Sequence, residues 1–142
     1  MRGHHTPPSL PAQLRLRMTC SVNEVRGVAQ SVRTFLLQQG CSEQDVNDCE
    51  LALVEACNNA ILYATDRVRA VNVEALSRPE EIELRVTDHT RGLVWPERAL
   101  LPDSASERGR GLFIIQSVMD ATRYRKDPSG NTLFLVKRRS RP

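Results

Sequence analysis

The chain has 142 residues, 40% of them apolar and 26% charged, which suits one globular domain with its own core and excludes a fibrous or disordered polypeptide. Its basic excess is only +3 and does not by itself point to nucleic acid. No apolar run approaches the roughly 20 residues that cross a bilayer, and residues 1–11 lack an apolar signal-peptide centre, so a soluble cytoplasmic protein without membrane contact is expected.

The lysines are Lys126 and Lys137, and neither closes a glycine-rich loop, which excludes a Walker-type phosphate loop. No Val-Ala-Ile-Lys, His-Arg-Asp or Asp-Phe-Gly segment of an ordinary protein kinase is present. The cysteines Cys20, Cys41, Cys49 and Cys57 form no C-x-x-C pair, so a zinc site has no support. Cys49 and Cys57 fall in an apolar helical pattern and read as core.

Residues 1–12 read as a flexible leader, 13–139 as one domain and 140–142 as a tail. Leu14, Leu16 and Met18 alternate with Gln13, Arg15 and Arg17, predicting a half-buried strand near 13–19. Ser21 and Glu24 stand in capping-box spacing, and Val25, Val28, Ala29, Val32 and Leu36 recur at helical intervals up to Gly40. Ser42 with Asp45 restarts that pattern, and the unbroken stretch 43–65 predicts a long second helix. Val71, Val73 and Ala75, then Ile82, Leu84 and Val86, alternate on either side of a turn and predict two antiparallel strands. About twenty irregular residues follow, holding Gly92, Gly109 and Gly111, a length that suggests a functional loop. A short helix is expected at 112–119, starting just after glycine, and strands at 122–125 and 133–136 read as a hairpin around Asp127-Pro128-Ser129-Gly130. This order predicts an α+β fold, a two-layer sandwich with helices on one face of a mixed, mostly antiparallel sheet.

Three segments carry chemistry. Within 51–64, Glu55 and Asn59 lie one helical turn apart, roughly opposite the apolar stripe of Val46, Cys49, Leu53, Ala56, Cys57 and Ala60, so acid and amide can address one ligand. An amide oxygen suits Mg²⁺, and a neighbouring carboxylate can accept a proton from an attacking hydroxyl. Alone, an E-x-x-x-N pair reads as a helix-edge acid reaching solvent. Asp88 ends a strand just before Gly92 and could accept a hydrogen bond from an amine such as that of adenine; alone, it reads as a turn residue. Gly109 and Gly111 lead into the apolar Leu112, a geometry in which backbone amides can meet phosphate, with Arg108 and Arg110 adding positive charge.

In this order, with Thr132 on the last strand, the three segments resemble the GHKL ATPase superfamily: Glu55 to Ala64 is similar to its N-box, Asp88 to Gly92 to its first glycine box, and Arg108 to Leu112 to its second. The small size and the run Gly109 to Asp120 look most like the RsbW-type anti-sigma-factor serine kinases. That resemblance implies the Bergerat ATP-binding fold and a serine/threonine kinase using ATP and Mg²⁺ on an anti-anti-sigma (STAS-type) antagonist. It also implies a sigma factor held inactive when the antagonist is phosphorylated, and a homodimer. Carried over residue by residue, it makes Glu55 the general base and Asn59 the Mg²⁺ ligand. Asp88 and Thr132 then hold adenine, Gly92 opens a lid, and Arg108, Gly109, Arg110, Gly111 and Leu112 form the phosphate cradle. Thr90 departs from the family glycine in the first box, and Tyr63 stands where many relatives have His.

Two other functions fit parts of this pattern. A sequestering module with the same fold and no turnover is not separated from a kinase by sequence. A histidine kinase fragment would need a phosphorylatable His on a helix, and His4, His5 and His89 lie elsewhere. The basic run Lys137, Arg138, Arg139 and Arg141 reads as a solvated terminus rather than a nucleic-acid site, because no aromatic platform accompanies it.

Overall fold

The computed structural model describes residues 10–62, 64, 70–89 and 107–140, with the backbone alone at 107–110. Strand β1 (Ala12–Met18) turns Leu14, Leu16 and Met18 to one side. Ser21 caps a 3-10 turn (Val22–Glu24), its Oγ accepting from the Asn23 amide at 3.3 Å, while the Glu24 carboxylate accepts from the Thr19 amide at 3.0 Å. Both predicted capping residues are therefore engaged, on a turn that precedes helix α1 (Val25–Gln38). Gly40 ends that turn of chain with φ at +81°, a left-handed conformation that glycine adopts without a Cβ penalty.

Ser42 Oγ accepts from the Asp45 amide at 3.1 Å and starts helix α2 (Glu43–Leu62). Cys49 and Cys57 lie in its buried stripe. Burial pushes both thiols up to about 12, so they stay protonated and pack as small apolar groups. Next come β2 (Val71–Ser77), β3 (Glu81–Asp88), helix α3 (Glu107–Val118), β4 (Ala121–Arg125) and β5 (Asn131–Arg138).

The strands form one sheet in the order β1-β2-β3-β5-β4, and the described pairings are all antiparallel. The α+β sandwich is as predicted, but among the described residues the expected mixed pairing gives way to a wholly antiparallel one. Two antiparallel helices between β1 and β2 bring the chain back to the edge it left, so β2 runs down beside β1. The crossover through α3 does make β4 parallel to β3, yet β5 lies between them and is antiparallel to both. This topology puts Met18, the end of α2, Asp88, the start of α3 and Asn131 at one edge of the molecule.

One sheet face packs against the helices through Val73, Leu84, Val86, Leu133 and Leu135. The other carries Arg15, Arg17, Arg85, Arg123, Arg125 and Arg138 against Glu74, Glu81 and Glu83. That excess matches the +3 of the whole chain, so the basic character is concentrated on the outward sheet face.

At the opposite edge, Lys137 ties three elements together. Its Nζ donates to the Val118 carbonyl at 2.7 Å and pairs with the Asp48 carboxylate at 2.9 Å. Burial works against the charged amine, but the hydrogen bond and charge of Asp48, with Asp120 and Asp45 nearby, outweigh it and hold the Lys137 pKa above its ordinary value. Arg139 donates to Ser77 Oγ, the Arg78 carbonyl and the Gln39 carbonyl at 3.2, 3.0 and 3.0 Å. Ser140 donates twice to the buried Asp45 carboxylate, at 2.6 and 2.9 Å. The expected solvated basic terminus is corrected here: Lys137 and Arg139 close the bottom of the fold, and Ser140 is anchored instead of forming a free tail.

Lys137→Met is expected to lower stability by about 1–3 kcal/mol in urea unfolding, because Asp48 and the Val118 carbonyl lose their donor in a half-buried place. A raised lysine pKa gives stability that is complete below the ordinary value of 10.5 and lost as pH rises through the higher folded value. The wild-type urea midpoint should therefore fall in that alkaline range, and that of Lys137→Met should fall less.

Candidate functional site

The upper half of α2 and the first turns of α3 meet at a glycine. A Cβ at Gly111 would stand 3.0 Å from Glu55 Oε2 and 3.3 Å from Asn59 Nδ2, so the acid and the amide both lie over a position where α3 has no side chain. The predicted neighbourhood of Glu55 and Asn59 is present, and Gly111 joins them. The lower clamp explains the alignment. From Asp48 to Glu55 and from Val118 to Gly111 the separation is seven residues, roughly 10 Å along each helix, so pinning one level brings the other into register.

Asn59 Nδ2 is buried with no hydrogen-bond partner among the described residues. A buried donor left unmade costs about 1–3 kcal/mol, so the site calls for a polar ligand. An amide in this place fits a metal-bound phosphate chain, because its oxygen can face a hard cation while its nitrogen donates to a phosphate oxygen.

The glycines of the second box differ from expectation. Helix α3 starts at Glu107, not after glycine, so Gly109 and Gly111 are both helical, and neither has a positive φ. The free amides of a helix are those of its first turn, here 107–110, and these include Gly109 but not Gly111. Gly111 thus serves by letting α2 approach, and Leu112 is buried. The side chains of Arg108 and Arg110 lie outside the described residues, as do Tyr63, Thr90 and Gly92.

Asp88 ends β3 on the helix-facing side of the sheet and is 7% exposed. The register pairs it with Asn131, whose Nδ2 lies 3.5 Å from Asp88 Oδ1. Thr132, expected beside Asp88, pairs instead with Thr87, their hydroxyls 3.0 Å apart on the outward face. The correction follows from the two-residue period of a strand: Asn131, Leu133 and Leu135 face the helices, so Thr132 cannot. Sequence reasoning began this strand at Leu133; extending the same alternation back by one step would have found Asn131.

A family model described as the histidine kinase-like ATPase domain matches residues 18–137. A Bacillus licheniformis protein named serine-protein kinase RsbW is 31% identical over 113 residues, 70% of this chain and 69% of that protein. An anti-sigma F factor of Clostridium perfringens is 27% identical over 125 residues, 82% of this chain and 89% of that protein. Among solved structures, one containing the RsbU and RsbW domains of a Mycobacterium tuberculosis protein has a TM-score of 0.69 at 22% identity, covering 92% of this chain and 33% of that longer one. The SiaB-SiaC complex from Pseudomonas aeruginosa gives 0.58 at 15%, covering 88% and 89%. At these identities the structures speak to the fold.

Gly111→Ala tests the contact. Alanine favours the helix by up to about 1 kcal/mol, while its methyl displaces Glu55 and Asn59. Thermal unfolding should shift little, whereas ATP affinity measured by calorimetry should drop about tenfold or more.

Proposed function

The chain belongs to the histidine kinase-like ATPase family, and from that premise we propose that it is an anti-sigma factor and serine/threonine-protein kinase. It would phosphorylate an anti-anti-sigma (STAS-type) antagonist with Mg-ATP and hold a sigma factor inactive once that antagonist is phosphorylated. The observation that carries this reading is the convergence of Glu55 and Asn59 on Gly111, at the same edge as Asp88. The names of its relatives, serine-protein kinase and anti-sigma F factor, support the two halves of the role.

In this reading Asn59 holds the metal, which when bound supplies positive charge against the phosphates. The first-turn amides of α3 receive phosphate oxygens at a helix start, where the dipole favours negative charge. Asp88 accepts from the adenine amino group, at the rim where Asn131 also meets its carboxylate. Glu55 accepts the proton of the attacking serine or threonine hydroxyl and orients that oxygen. The protein positions and neutralises; it forms no covalent bond to the phosphoryl group. Action as a homodimer in the cytoplasm belongs to the same proposal. Among the described residues no helix is long and apolar enough to cross a membrane.

Incubation with Mg-ATP and the antagonist tests the kinase directly. Glu55→Ala is expected to abolish phosphoserine or phosphothreonine formation, read by mass spectrometry, while nucleotide still binds. Asp88→Asn is expected to lose nucleotide. An antagonist left unphosphorylated by the wild-type protein would reduce the role to sequestration, and equal transfer by Glu55→Ala would remove Glu55 as the base.

A further inference from the structure

The outward sheet face holds a second polar site that the nucleotide chemistry does not use. A cleft of about 270 Å³ lies over β3, β5 and β4, with Phe134 and the Thr87–Thr132 hydroxyl pair on its floor. Three guanidinium groups converge on the Phe134 ring: Arg123 at 4.6 Å from its centre, Arg125 at 5.2 Å and Arg85 at 5.5 Å. Arg85 is neutralised by Glu83 and Glu74. Arg123 and Arg125 form no ion pair within 4.0 Å among the described residues, Arg125 meeting only the charge of the exposed Asp127, although like charges gathered on one ring repel. Of the two threonine hydroxyl protons, one is spent on their mutual bond and the other is left to donate. This end of the cleft offers donors and positive charge, the complement of a carboxylate.

Geometry narrows the ligand further. Arg123 and Arg125 stand two residues apart on one face of β4, roughly 7 Å, which is the spacing of alternate side chains in any extended segment. β4 is the last strand in the sheet order, hydrogen-bonded to β5 on one side, and among the described residues no strand pairs with its other edge. A second copy of this edge would set arginine against arginine. We propose that β4 docks an extended acidic segment of a partner protein, which adds to the sheet as a strand and sets carboxylates at alternate positions against Arg123 and Arg125.

The test uses the whole chain and three labelled peptides in which threonine alternates with Glu, Gln or Lys. Fluorescence anisotropy should give binding of the Glu peptide that weakens with salt, with the Gln peptide at least tenfold weaker. The double variant R123E/R125E should lose the Glu peptide at least tenfold and gain the Lys peptide; R123Q/R125Q should lose the first without gaining the second. R17E, which changes net charge on the far strand of the same face, should leave affinity unchanged. Amide shifts on Glu-peptide addition should map to 121–125. Equal binding of Glu and Gln peptides, insensitivity to R123E/R125E, equal weakening by R17E, or shifts away from β4 would each overturn the proposal. So would a wild-type dimer in sedimentation that R123E/R125E dissolves, because a second copy would then occupy the edge.

Discussion

The half-buried pair of Lys137 with Asp48, and the bond from the same amine to the end of α3, hold the two layers in one alignment. A sheet and helices that met only through apolar contacts could slide by small amounts with little change in buried area. A charge-assisted bond has a defined length and direction and does not allow that. Here it joins β5, α2 and α3 at one level, and a helical rise of 1.5 Å per residue carries that level up to Glu55 and Gly111. The candidate site depends on a contact far from it, at the other edge of the fold.

The chain direction does the rest of the assembly. An antiparallel pair of helices, a hairpin and a single helical crossover bring strand ends and helix ends to the same rim. Each functional group is then placed by regular structure: Glu55 and Asn59 by one helical turn, Asp88 by the last residue of a strand, and Gly109 by the first turn of α3. Such groups need no loop to orient them, which suits a chemistry that consists mainly of positioning and charge neutralisation. The unpaired amide of Asn59 belongs to this picture, since a site prepared for a polar ligand carries the cost of an unmade bond until it is filled.

The two sheet faces have separate tasks because alternate residues cannot share one. On the helix side β5 gives Asn131 and two leucines before reaching Lys137; on the outward side it gives Thr132 and Phe134 to an arginine-lined cleft. The arginines over Phe134 keep that ring from solvent through their flat guanidinium groups and aliphatic stems, so a charged face also shelters an apolar floor. Edge arginines on β4 also discourage pairing with a like strand.

The sequence by itself determined the elements and the identities of the chemical groups. Apolar spacing marked both long helices and most strands, the cap residues Ser21 and Ser42 marked helix entries, and the pairing of Glu55 with Asn59 followed from a helical turn, because these signals are local. Only the tertiary structure decided which strand residues face the site, because a shift of one position exchanges the faces, and so Asn131 and not Thr132 meets Asp88. It also decided that Gly111 admits a neighbouring helix and that Lys137 and Arg139 turn inward. Those roles depend on partners distant in the chain, and a local pattern carries no record of them.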